Sequence, residues 1–224
     1  METEEKKYRL TEEKMYCWGR TLHRIEALRD FNNRTVEIKK GAKGGWIESE
    51  ENLSHTGDCW VSDNAKVYGR ALVSGNASVC CNARVCDNAL VIGDAVVGED
   101  AIVYDNALVI GDAVVRYNVN VCGNARVCGN ARVYGDARVY DNASVFDNVE
   151  VYGNARVCDN AIVYDNALVS GDSLVSGNAR VCGNASVCGN ARVCDNAIVY
   201  DNARVYDNAR VRGSACIGKN AILY

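Results

Sequence analysis

From residue 57 to residue 224 the apolar positions of this chain fall into one six-residue beat, with polar positions filling the gaps. The unit is Gly/Asp-Asn-Ala-x-Val-x, as in Gly123-Asn124-Ala125-Arg126-Val127-Cys128, and it runs 28 times without a break. Numbered 1 to 6, position 5 is Val in 26 units, the exceptions being Ile217 and Leu223. Position 3 is Ala in 24, with Cys59, Val119, Val149 and Ser173 in the others. Positions 3 and 5 therefore point one way and positions 4 and 6 the other, the period-2 alternation of a strand. Each strand is cut off by Gly or Asp at position 1 and then by position 2, which is Asn in 20 units and Asp in six. Asn and Asp tolerate the left-handed backbone region and bond locally, so positions 1 and 2 predict a corner.

Short strand, corner, short strand at a fixed period predicts an all-β parallel β-helix, stabilised by stacking because one turn buries too little by itself. The chain has no proline, which would remove a ladder N–H. The first 56 residues lack the beat and predict a small N-terminal β cap, so the domains are 1–56 and 57–224. Met15-Tyr16-Cys17-Trp18, Gly19-Arg20 and then Thr21 to Ala27 predict a β-hairpin. Lys43-Gly44-Gly45-Trp46-Ile47 leads into the solenoid, and residues 45–50 and 51–56 are already in phase as degenerate hexads. Open sheet edges associate unless covered, and the leader is expected to cover one end. At the other end the last hexad stops in register, with Arg210, Arg212 and Lys219 expected to blunt its edge.

Val-x-x-x-Ala, aliphatic and then small four residues later, resembles the left-handed parallel β-helix of the hexapeptide-repeat superfamily. In that fold three hexads make one triangular coil, which implies about nine coils and a prism about 45 Å long at about 4.8 Å per rung. The left hand is implied by the resemblance alone, since the general crossover rule favours the right hand. Lys7-Tyr8-Arg9-Leu10, Asp30-Phe31-Asn32, Gly44-Gly45-Trp46-Ile47 and Gly57-Asp58-Cys59-Trp60 also resemble the start of the bacterial YdcK-type hexapeptide-repeat proteins. Those are described as transferases without an established reaction. That likeness extends to about residue 70, after which this chain is far more regular, so no site on the family's irregular coils carries over.

The chemistry available for catalysis is thin. Acyltransferases of the superfamily resemble one another in a His base near a loop that leaves the solenoid. Here no loop leaves it, and the two histidines, His23 and His55, both precede it. The carbonic anhydrases of the same fold need three His on zinc. Asp and Glu recur at corners in register, where solvation is expected over paired acid–base work. No catalytic residue, metal site or cofactor is therefore expected. The alternative is a transferase-related site formed between subunits, supplied by His23 or His55.

Twelve cysteines invite a disulfide or metal reading, and eight of them occupy position 6. Three hexads per coil set Cys86 beside Tyr104, Cys122 beside Tyr140, Cys182 beside Tyr200 and Cys188 beside Tyr206. No position-6 cysteine stacks on another, and Cys80-Cys81 are sequence neighbours and a poor pair. Free thiols in a reducing cytoplasm are expected. The N-terminus is charged with no apolar signal region, and no stretch is apolar for long enough to span a membrane. The absence of Thr after Thr56 argues against the Thr ranks of an ice-binding face.

Every third hexad shares a face, so outward residues can be sorted. One face carries a basic stripe of Lys66, Arg84, Arg138, Arg156, Arg192, Arg210 and Arg212, with no acid at positions 4 or 6. Corner aspartates such as Asp141 and Asp159 are expected to neutralise it; the competing reading is an anionic partner. The net charge of −4 argues against nucleic acid as that partner. A second face stacks Leu72, Leu90 and Leu108, flanked by Ile92 and Ile110. An apolar patch over three coils marks an interface. These patterns predict a non-enzymatic scaffold, a homo-oligomer or a protein that binds a partner protein through flat faces.

Overall fold

The computed structural model describes residues 6–224; the first five residues of the charged N-terminal stretch lie outside the described residues. Position 1 of every hexad, from Gly57 to Lys219, has a positive φ, between 52° and 81°. This is the left-handed conformation that turns the chain at each corner. It falls on position 1, where Gly has no Cβ to clash and Asp is tolerated, and not on the Asn of position 2.

Asparagine does different work. Its amide both donates and accepts, so stacked copies bond head to tail. Asn88, Asn106, Asn124, Asn142, Asn160, Asn178 and Asn196 form one continuous ladder, each Nδ2 donating to the next Oδ1 at 2.9–3.2 Å. The position-1 aspartates reach the next coil instead. Asp159 Oδ2 accepts the Gly177 N–H at 2.8 Å and Asp195 Oδ2 the Gly213 N–H at 2.8 Å. These are amides at corners, where the strand ladder makes no use of them.

The result is a parallel β-solenoid of about ten turns. Three flat sheets run its length, and partners in register are 18 residues apart, such as Val109↔Val127 and Val127↔Val145. The first face bears strands from Lys66 to Arg210, the second from Leu72 to Cys216, and the third from Trp60 to Ile222. Inward Ala and Val side chains from Ala65 to Val205 are fully or almost fully buried. Ser173 stands at an inward Ala position, fully buried, and its hydroxyl has no hydrogen-bond partner among the described residues.

The leader extends the first face and plugs its end. Strands β1 (Tyr8–Cys17) and β2 (Arg20–Ala27) form an antiparallel hairpin. Its tip is Trp18-Gly19, both at positive φ, which suits a tight hairpin turn. A short pair, β3 (Phe31–Asn32) and β4 (Glu37–Ile38), follows. Strand β5 (Lys43–Ile47) then pairs antiparallel with β2 and parallel with Lys66-Val67. Its two glycines permit close approach. A Cβ on Gly44 would lie 2.6 Å from Trp60 Cζ2, and one on Gly45 would lie 2.7 Å from the Ala65 carbonyl oxygen. Leu53 bridges to Val73, so a rung lies beneath the first strict hexads. Tyr8, Ile25, Phe31 and Ile38 close over Leu53 and Trp60, continuing the solenoid core into the cap.

Candidate functional site

Two regions gather chemistry. The first is the plug beneath the lowest coil. Lys7 is fully buried, and its ammonium donates to the carbonyls of Gly57 at 3.0 Å and Cys59 at 2.8 Å, with Cys59 Sγ at 3.3 Å. Burial pulls the Lys7 pKa down and pushes the Cys59 thiol up. The pair therefore offers no thiolate; the lysine satisfies carbonyls at the first corner. His55 stacks on Tyr8, ring centroids 4.3 Å apart, and its Nδ1 accepts the Lys7 backbone N–H at 3.2 Å. Nε2 lies 3.8 Å from Glu50. Burial lowers the His55 pKa, so the ring is held neutral with Nδ1 already engaged. His23 sits apart on β2, its Nδ1 3.3 Å from the Thr11 carbonyl oxygen. Both histidines are built into the cap's own contacts.

The second region is the outer surface of the first face. Position 4 there carries Lys66, Arg84, Ile102, Asn120, Arg138, Arg156, Leu174, Arg192 and Arg210 in successive register. Position 6 alternates Tyr68, Cys86, Tyr104, Cys122, Tyr140 and Cys158. The alternation of large and small side chains has a structural consequence. Each phenol neighbours the thiol of the next coil, Tyr104 hydrogen-bonding with Cys122 and Tyr140 with Cys158. These contacts, followed by burial, push both tyrosines up to about 12. Burial raises the thiols in turn, Cys86 to about 11. These cysteines are protonated near neutral pH and lack the character of nucleophiles.

Between successive tyrosines the surface is notched. One notch of about 270 Å³ is lined by Tyr68, Arg84, Cys86, Ile102, Tyr104 and Asn120. The next, about 370 Å³, is lined by Tyr104, Asn120, Cys122, Arg138, Tyr140 and Arg156. Neither lining contains a carboxylate. The hairpin tip closes the near end: Trp18 stacks on Tyr68 at 5.4 Å, and the Arg84 guanidinium lies 4.8 Å from the Trp18 ring centroid. Among the described residues none of the stripe cations Lys66, Arg84, Arg138, Arg156, Arg192, Arg210 or Arg212 has a carboxylate within ion-pair distance. Asp141 and Asp159 are occupied by the corner amides of Asp159 and Gly177. Each gives one carboxylate oxygen to an amide along the prism axis, and neither reaches a guanidinium across the face.

On the second face Leu72, Leu90 and Leu108 are register partners, as are Ile92 and Ile110, and all five are part-exposed. The strands Leu90–Gly93 and Leu108–Gly111 have four residues where other solenoid strands have two, and they pair over all four. The twelve cysteines are all free, including Cys80 and Cys81, whose sulfurs are 3.7 Å apart. Among the described residues no group of three His, Cys, Asp or Glu side chains is placed to hold a metal ion. No helix among them is long and apolar enough to cross a membrane.

Comparison with known proteins agrees with this architecture. The YdcK β-solenoid repeat family matches residues 83–99, 121–135, 125–139, 131–147, 150–165, 155–171, 161–177, 191–205 and 203–218. The uncharacterized acetyltransferase YdcK of Escherichia coli (strain K12) is 38% identical over 77 residues, covering 30% of this chain and 22% of the relative. The chain thus spans well under two thirds of that relative's length. Its similarity is that of a hexapeptide-repeat β-solenoid of YdcK type.

Proposed function

We propose that this chain is a non-catalytic β-solenoid scaffold that self-associates through the apolar strip of its second face. The observation that carries this is the register of Leu72, Leu90 and Leu108 with Ile92 and Ile110 beside them. A flat apolar strip spanning three coils suits a second copy of itself, because flat sheets pack face to face. The assay is light scattering coupled to size exclusion. The wild type is expected to run as an oligomer, and Leu90→Lys with Leu108→Lys as a smaller species with an unchanged far-ultraviolet spectrum. A wild type that is monomeric at micromolar concentration would end this reading.

A second reading, acetyl transfer, is favoured by one observation, the name carried by the Escherichia coli relative. In this chain it would need a site completed between subunits, with His23 or His55 as the base. Against it stand a His55 ring engaged at Nδ1 and thiols raised by burial. Calorimetric titration with acetyl-coenzyme A separates the two readings, since the scaffold is expected to give no heat.

A further inference from the structure

The first face carries features separate from the apolar strip of the second. Its two notches repeat one design. Each has a tyrosine on either side, a cysteine between them and arginine on the rim, and the two share Tyr104 and Asn120. They are offset by two rungs, about 10 Å. A site that repeats at fixed pitch along an open, straight face fits a ligand that repeats, and that pitch is of the order of a disaccharide unit in an extended chain.

The chemistry narrows the ligand further. Arg138 and Arg156 are stacked register partners, and like charges so placed repel. Among the described residues neither has a carboxylate in ion-pair distance, and the corner acids Asp136 and Asp172 share the notch on their other side. An anionic group seated between the two arginines relieves that repulsion and finds donors in geometry suited to a carboxylate. The Tyr104 and Tyr140 rings that line the larger notch offer apolar contact to the C–H side of a sugar ring, with the Asn120 side chain beside them for its hydroxyls. A single-stranded nucleic acid is the competing repeating anion, and the oligothymidylate in the experiment below distinguishes the two.

We propose that the groove running from Trp18 across Tyr104 to Tyr140, edged by Arg84, Arg138 and Arg156, binds a linear acidic polysaccharide of the polyuronate class. Successive sugar pairs lie in successive notches, and carboxylates lie on the arginines. The Trp18 tip sets the end of the track.

The experiment is calorimetric titration of the full chain with a galacturonate hexamer. A glucose hexamer and a short oligothymidylate serve as comparison ligands. Saturable binding of the galacturonate hexamer alone is expected. Arg138→Gln with Arg156→Gln should weaken it by about tenfold or more, a loss that corresponds to about 1.4 kcal/mol. Tyr104→Ala, which removes the wall common to both notches, should weaken it by a similar factor. Arg132→Gln, on the third face, should leave it unchanged while reporting any general effect of charge. Absence of galacturonate binding overturns the proposal, as does equal binding of the glucose hexamer or tighter binding of the oligothymidylate. Wild-type affinity in the folded double arginine variant overturns it too, and circular dichroism with unchanged strand content establishes that this variant is folded.

Discussion

Aspartate at position 127 tests the core and the cooperativity of the solenoid together. Val127 is fully buried, with Val109 and Val145 as register partners below and above. Losing the valine removes about 1.5–3 kcal/mol of burial. The new carboxylate finds no donor inside the prism: its neighbours there are Ala and Val, and the flanking amides of Arg126 and Cys128 already donate to Ala143 and Val145 at 2.9 Å. Surrendering its charge at neutral pH, some three units above the ordinary aspartate pKa, costs about 4 kcal/mol. The sum is on the order of 6 kcal/mol, within the range of a whole domain's stability. In a globular core this would threaten the entire fold. In a stack of near-identical coils the cheaper escape is to open the coil that carries the defect. Hydrogen exchange followed by mass spectrometry is the assay. The amides of Leu108, Arg126 and Cys128 should exchange at least about a hundredfold faster than in the wild type, while those of Trp60 and Ser186 keep their protection. Unchanged exchange around residue 127 would refute the inward placement of the valine row. Uniform acceleration along the chain would refute coil-by-coil stability.

Three further outcomes are expected. Alkylation of native, unreduced protein after unfolding should add twelve groups, since all twelve thiols are free; a shortfall of two would reveal a bridge that the stacking does not allow. Ser173→Ala should raise the melting temperature in scanning calorimetry, corresponding to about 1 kcal/mol, because it removes a buried hydroxyl without a partner; a fall would show that the hydroxyl is bonded. His55 has a folded pKa below its ordinary 6.5, so the unfolded chain takes up the proton first as pH falls. Its contribution is present above 6.5 and lost as pH falls from there through the folded value. Thermal melts between about pH 7.5 and about pH 5 should show a drop that is smaller in His55→Gln; identical pH profiles would contradict the buried neutral ring.

Much of this architecture is legible along the chain because a strict beat fixes neighbours at constant offsets. Once Val and Ala define the inward rows, Leu72, Leu90 and Leu108 must stack, and Arg138 must lie beside Arg156. The same offsets keep position-6 cysteines apart. The left-handed corner was also open to reading: position 1 is where Gly concentrates, and Gly is the residue for positive φ. The pull of Asn toward the same conformation obscures that signal, and its true partner, another Asn one coil away, belongs to the stack and not to the hexad.

What only the tertiary structure decided lies where the beat is absent or where two uses compete for one group. Lys7 reads as a surface cation in a charged leader, yet it is buried because chain closure brings it to Gly57 and Cys59, 50 and 52 residues away. Trp18 sits at a hairpin tip, and nothing periodic forecasts that it stacks on Tyr68 and meets Arg84. The corner aspartates could serve the arginines across the face or the amides along the axis, and composition does not choose between them. Geometry does. An amide of the next corner lies 2.8 Å from Asp159, held there by the rung spacing, while the guanidinium of a long flexible side chain can remain in water. Periodicity determined the solid, its faces and which side chains share them; closure of the cap and the geometry of the corners determined which of those side chains find partners within the chain.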